Sequence, residues 1–211
     1  MERFFATLRM THGKILRYTQ NDTTNTTVNL NATVILNEVK DLKKEKTMAV
    51  RNIRIMGDPI LEKKSRKVEE MTPKIQELIA DMFDTMHDQS GVGLAAPQVG
   101  MLKRIFVVDL TEYMEDGIEQ VFINPEVIET AGEQVGAEGC LSLPGKNGTV
   151  KRPNYVKIKA LDENMEEFTI EGNELMARAI LHENDHLEGI LYTQFVEGDL
   201  KDNADDEEEE E

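Results

Sequence analysis

The chain has 211 residues, of which 39% are hydrophobic and 5% aromatic, and its formal net charge is −17. That length supports one domain with a real core, and the scarcity of aromatics leaves aliphatic side chains to fill it. The charge repels bare phosphate backbones, which excludes direct nucleic-acid binding as a function class. No apolar run approaches the roughly 18 residues a membrane span needs, and the N-terminus lacks an apolar stretch followed by a small-residue cleavage site. The single cysteine rules out an intrachain disulfide and fits a reducing compartment, so a cytoplasmic protein is expected.

The charge is unevenly spread. Residues 1–47 carry a net +3 (8 Lys/Arg against 5 Asp/Glu), residues 48–198 a net −12 (15 against 27) and residues 199–211 a net −8 (1 against 9). In the first segment, ten of the fifteen residues from Thr19 to Thr33 are Thr or Asn, with no sustained helical or strand period. The sequons at Asn21, Asn25 and Asn31 lie in or beside that stretch and read as a product of composition. Val34 to Leu42 is compatible with a short helix that has little to pack against. A regular sequence begins at Met48, so 1–47 is expected to be a disordered or artefactual extension. Mass spectrometry of the native N-terminus checks that reading. One folded domain is expected over 48–198, and the acidic run ending in Glu211 reads as a disordered, solvating tail.

From Met48 onward the elements follow in order. Thr72-Pro73 predicts a helix start, with Thr72 as cap and Pro73 at the first helical position. Ile75, Leu78, Ile79, Met82, Phe83 and Met86 then form one apolar face, and the helix ends near Ser90-Gly91. Arg104 to Leu110 reads as a buried strand, and Val121 to Pro125 as a second strand stopped by its proline. Gly148 to Arg152 and Tyr155 to Leu161 alternate as half-exposed strands; Asp162-Glu163-Asn164 turns, and Glu167 to Ile170 pairs back. A second helix covers Glu174 to Gly189. Strands in series followed by a helix predict an α+β fold: mixed or antiparallel sheets around a central metal-binding helix, with an N-terminal helix.

Three motifs carry the chemistry. His182-Glu183-Asn184-Asp185-His186 lies on the second helix, where residues four apart share a face. Two imidazoles so placed can grip one metal ion, with Glu183 beside them as a proton shuttle; two surface histidines on an acidic helix are the bland alternative. Gly91 to Gly100 is a glycine-rich turn whose glycines allow positive φ and close backbone approach. Its spacing is not that of a dinucleotide fingerprint. Glu138-Gly139-Cys140-Leu141-Ser142-Leu143-Pro144-Gly145 contains the lone cysteine. Such a residue is often a small buried hydrophobe. As a third ligand beside His182 and His186 it would leave a fourth tetrahedral position open for water, the layout of a catalytic site.

Gly-x-Gly-Leu-Ala-Ala-x-Gln, Glu-Gly-Cys-Leu-Ser and His-Glu-x-Asp-His-Leu-x-Gly, in this order, resemble the three signature motifs of peptide deformylase over about Arg51 to Phe195. The short separation from Gln98 to Cys140 and the Leu-Pro-Gly after the cysteine resemble the bacterial type 1 subgroup. The extension and the acidic tail fall outside the resemblance.

The resemblance implies removal of the formyl group from the N-terminal formylmethionine of newly synthesised polypeptides. It implies a metal held by Cys140, His182 and His186: Fe(2+) first, with Zn(2+), Ni(2+) or Co(2+) able to substitute. Glu183 would take and return the proton, while Gln98 and the backbone N–H of Leu141 would meet the formyl oxygen. Gly93 would lie along the substrate backbone and Val92 would line the methionine pocket. Nascent N-formylmethionyl peptides are the implied partners, together with the translating ribosome, and a monomer is expected.

Asp185 does not share the metal face of its helix and is expected to pair with Arg152; a solvated aspartate is the alternative. A zinc protease with the same helix would take a third ligand downstream, where only Glu188, Glu197 and the tail acids follow, and would leave Cys140 unexplained. A non-catalytic binding module would leave the Glu183 acid–base group and the open coordination position without a purpose.

Overall fold

A computed structural model of the chain describes residues 49–202 and, before them, the paired two-residue strands Met10–Thr11 and Lys14–Ile15. The chain divides between Thr47 and Met48 into two units. The expectations for the Val34–Leu42 helix, for the three sequons and for the tail beyond Asp202 lie outside the described residues, as does all of the segment 1–47, expected to be disordered or artefactual, except those two short strands.

The second unit contains α1 (Pro73–Asp88), β1 (Gly93–Ala95), β2 (Ile105–Asp109), β3 (Glu119–Ala131), β4 (Gln134–Cys140), β5 (Leu143–Arg152), β6 (Tyr155–Leu161), β7 (Glu167–Asn173), α2 (Glu174–Glu188) and β8 (Lys201–Asp202). An antiparallel sheet of five strands runs in the order β1-β2-β3-β6-β7, and a sheet of three runs β8-β5-β4. The fold is α+β with antiparallel sheets, as the series of strands predicts. No helix among the described residues is long and apolar enough to cross a membrane.

The run Ile105-Phe106-Val107-Val108 explains the layering. Successive side chains of a strand point to opposite faces, and all four of these are 0% exposed. Ile105 and Val107 join Leu78, Met82 and Met86 of α1 in one core cluster. Phe106 and Val108 join Ala177, Ile180 and Leu187 of α2 in the other. The large sheet therefore lies between the two helices. Burial of each such side chain contributes about 1.5–3 kcal/mol. Phe106 stacks on its cross-strand partner Phe122 at 4.5 Å.

Local chemistry sets the start of α1 and the end of α2. The Thr72 side chain accepts from Ile75 N at 3.3 Å at the start of α1. Gly189 closes α2 in the left-handed region, at φ +77°. A Cβ at Gly189 would lie 2.6 Å from the backbone carbonyl of Glu62, whereas Gly198, at φ +89°, has nothing within 4 Å. Gly189→Ala is expected to lower stability by more than the about 1–3 kcal/mol of backbone strain alone, and Gly198→Ala by no more than that. Denaturant melts of the two variants check the difference.

The proline does not stop its strand. β3 continues through Pro125 to Ala131, with a register shift between Ile123 and Glu126. The bulge leaves the missing proline N–H without a ladder position to fill. Asn124, at φ +51°, is pinned there: its side chain accepts from Val68 N at 2.8 Å and donates to Val68 O at 2.7 Å. Beyond Leu191, Lys201–Asp202 pair with Asn147 and Lys146 of β5, so the start of the acidic segment is part of the small sheet.

Candidate metal centre

α2 supplies His182, Glu183 and His186, all buried. Cys140 ends β4, just before the Leu141-Ser142 turn into β5. The thiol and the two imidazoles bring their donor atoms within 4.8 Å of one another, and Cys140 Sγ lies 3.3 Å from His186 Nε2.

Gln98 sits in the 3₁₀ turn Ala96–Val99 and is 1% exposed. Its Oε1 accepts from Ala95 N at 2.7 Å, which turns its Nε2 toward Cys140 Sγ at 3.5 Å and Ser142 Oγ at 3.2 Å. Ser142 N also donates to the sulfur, at 3.4 Å. Val92 and Leu141 are half-buried beside these groups on the cleft wall.

Gly93 explains how α2 approaches β1. A Cβ there would lie 2.6 Å from Glu183 Oε1 and 2.8 Å from Glu183 Cγ. Neither Gly91 nor Gly93 has positive φ; in this turn only Gly100, at +83°, uses that freedom. The first two glycines serve close approach alone. β1 is an edge strand of its sheet.

Behind the histidines lies a buried network of which the sequence pointed only to Arg152 and Asp185. Glu138 Oε2 accepts from His182 Nδ1 at 3.0 Å, which leaves Nε2 of that ring for an ion. The same carboxylate takes Arg152 Nε at 2.8 Å, Arg152 Nη2 at 3.0 Å and Arg178 Nη1 at 2.9 Å. Arg152 also donates to Asp185 Oδ2 at 2.5 Å, tying the helix to the small sheet, and its guanidinium lies 5.2 Å from the Phe195 ring centre. Arg152→Ala would take from the half-buried Asp185 the arginine it pairs with and leave the buried Glu138 to Arg178 and His182 alone. Breaking such a pair costs about 3–5 kcal/mol, and loss of this support behind His182 is expected to weaken metal affinity about 10–100-fold. A denaturant melt and a metal titration check both.

The electrostatics favour a cation here. Burial opposes the Glu138 carboxylate, but hydrogen bonds from His182 and Arg152 outweigh it and hold that carboxyl at about 2. Burial also opposes a charged His182, yet Cys140 and Glu138 raise it to about 10. His186 is driven well below its ordinary range by burial and then by the charges of His182 and Arg152. The site thus stabilises one positive charge between the sulfur and the rings. Burial lifts Glu183 to about 7 against the pull of His182, and a carboxyl in that range can both accept and donate a proton near neutral pH. Its Oε2 is buried without a hydrogen-bond partner among the described residues. One soft sulfur, two imidazoles and an unpartnered carboxyl oxygen fit a divalent transition metal with an open position.

The downstream acid a protease would use is engaged elsewhere. Glu188 pairs with Arg104 at 2.6 Å and with Lys64 at 3.0 Å.

The family model described as polypeptide deformylase matches residues 50–201. The chain belongs to the polypeptide deformylase family. The peptide deformylase of Lachnoclostridium phytofermentans is 60% identical over 165 residues, covering 78% of this chain and all of that relative. That of Agathobacter rectalis is 59% identical over 155 residues, covering 74% and 95%. Among solved structures, the peptide deformylase of Synechococcus elongatus, in complex with actinonin, superposes with a TM-score of 0.68 at 37% identity, covering 72% of this chain and 83% of that one. The Legionella pneumophila peptide deformylase gives 0.67 at 42% identity, covering 71% and 87%. The activity follows from the family: hydrolysis that removes the formyl group from the N-terminus of formylated nascent polypeptides. Members of the family are metalloenzymes, and the Cys140-His182-His186 cluster is a candidate metal site whose donors suit that chemistry.

Proposed function

We propose that Cys140, His182 and His186 hold the divalent ion of this deformylase, iron(II) in the native protein, with zinc, nickel or cobalt as substitutes. The observation that carries this is the convergence of one sulfur and two imidazoles within 4.8 Å beside the buried Glu183. A bound divalent cation supplies a lowered pKa for water at its free position and a Lewis acid for the formyl oxygen.

The chain's own residues do the rest. Val92 and Gly93 line the cleft, and the open edge of β1 receives the substrate backbone in the manner of strand addition. Glu183 takes a proton from the attacking water as its oxygen bonds to the formyl carbon. The Nε2 group of Gln98 and the Leu141 N–H donate to the oxygen where negative charge builds; one such donor is worth about 3–4 kcal/mol of barrier. Glu183 then returns the proton to the amine nitrogen as the C–N bond breaks, giving formate and a free N-terminus. Arg152 and Asp185 hold α2 in place behind this exchange. Residues 48–198 form the catalytic domain. The protein works in the cytoplasm, as a monomer, on chains leaving the ribosome. Its charge of −17 favours contact with basic ribosomal proteins over rRNA.

Formate release from a formyl-methionyl peptide tests this reading. Chelation is expected to abolish it and added divalent ions to restore it, while an acetyl-methionyl peptide and an internal peptide bond stay intact. Turnover indifferent to chelation would contradict the proposal.

A further inference from the structure

Residues 51–56 belong to no helix or strand, and Asn52, Arg54, Ile55 and Met56 are exposed. Burial therefore does little to hold this stretch in place; hydrogen bonds do. At its start Arg51 N donates to the buried Thr85 Oγ1 at 2.9 Å, and Arg51 Nε donates to Asp81 Oδ2 at 2.9 Å, so α1 anchors it. Arg54 N then donates to Gln98 O at 2.7 Å, and Met56 N to Ser142 O at 2.7 Å. The N–H groups of an exposed loop are free to bond water; these two bond Gln98 and Ser142, each 1% exposed.

Gln98 and Ser142 are 44 residues apart in the sequence. Gln98 carries one donor assigned above to the formyl oxygen, and Ser142 directly follows Leu141, whose N–H is the other. The Gln98 Nε2 bond to Ser142 Oγ joins the two turns through their side chains. Residues 51–56 join them through their backbones, because Arg54 and Met56 are only two residues apart. Ile53, between the anchor and these bonds, packs against the same core cluster as Leu141. Two donors that serve one developing charge must each lie about 3 Å from the same oxygen, so their mutual spacing has to be fixed.

We propose that residues 51–56 are a positioning strap that sets the spacing between Gln98 and Leu141, with Arg54 N and Met56 N as its working contacts. This rests on the reading of those two residues as donors to the formyl oxygen. It adds what keeps the pair aligned.

Proline has no N–H, so Met56→Pro cuts the contact with Ser142 O, and the Met56 side chain is exposed. The test measures KM, and kcat per bound metal ion, for a formyl-methionyl peptide. It uses the full chain carrying Met56→Pro and Gln98→Leu, singly and together. Gln98→Leu removes a donor and is expected to lower kcat by about 10²–10³-fold. Met56→Pro alone is expected to lower kcat about ten- to hundredfold, the scale of an ångström-sized misplacement, with KM and metal content unchanged. In the Gln98→Leu background it is expected to cost less than about threefold, because a single remaining donor has no spacing to lose. Thr85→Val is close to threonine in shape and takes the acceptor from Arg51 N. It is expected to repeat the pattern at about two- to fivefold, the scale of one modest hydrogen bond, and it decides by the same criteria if Met56→Pro does not fold. An equal loss in both backgrounds would mark a merely structural segment and overturn the proposal. So would an unchanged kcat in the Gln98-containing protein. Gln98→Leu with native turnover would instead overturn the donor reading, and this proposal with it.

Discussion

Glu183→Gln is expected to lower kcat for formate release by at least about 10²–10⁴-fold, the usual share of general acid–base catalysis, while the protein keeps its metal. The amide matches the carboxyl in shape, so it fills the same space against Gly93, where a Cβ would come within 2.6 Å of the native side chain. It cannot accept a proton from water or return one to the amine. The metal ligands are untouched, because Glu183 is not among the three groups that converge. Metal content and kcat measured on one preparation separate the two effects. A Gln variant with near-native turnover would remove Glu183 from the mechanism.

Cys140→Ala is expected to lose both the metal and the activity. The sulfur sits at the centre of the donor set: His186 Nε2 at 3.3 Å, the Gln98 amide at 3.5 Å and Ser142 N at 3.4 Å all face it. Without it, two imidazoles remain on one helical turn, with one side of the site open. Elemental analysis after dialysis is expected to show less than about a tenth of the wild-type metal, matching the 10–100-fold affinity losses that follow even from changes behind a ligand. Unlike Arg152→Ala, this change takes no ion-pair partner from a carboxylate. Its melting curve in the absence of metal is therefore expected to stay close to that of the metal-free wild type. Retention of a full metal equivalent would exclude Cys140 as a ligand.

The parts of this site that were legible in the sequence are those set by local spacing. His182 and His186 are four residues apart on a helix that runs Glu174–Glu188, and a glycine closes it where the sequence places one. The run Ile105 to Val108 reads as a strand buried on both faces because all four residues are apolar. β4 was not legible. Its sequence, Gln134-Val135-Gly136-Ala137-Glu138-Gly139-Cys140, has two glycines and little alternation, and its strand form comes from pairing with β5.

Missing β4 hid the role of Glu138. As part of a motif it is only an acid near a cysteine; as part of a strand facing α2 it gathers Arg152, Arg178 and His182. A buried carboxylate on one element and two arginines on others carry no shared periodicity, so only the tertiary structure joins them. Arg178 escaped for the same reason: in a helix with this many charges it reads as a solvated side chain, yet it is 8% exposed. The continuation of β3 through Pro125 was hidden because the bulge that accommodates it depends on Asn124 reaching back to Val68.

X-ray absorption at the metal edge of the anaerobically purified protein tests the central claim most directly. The account predicts a coordination shell with one sulfur, two imidazole nitrogens and a further light atom. A shell without sulfur, or without the imidazole pair, would contradict it.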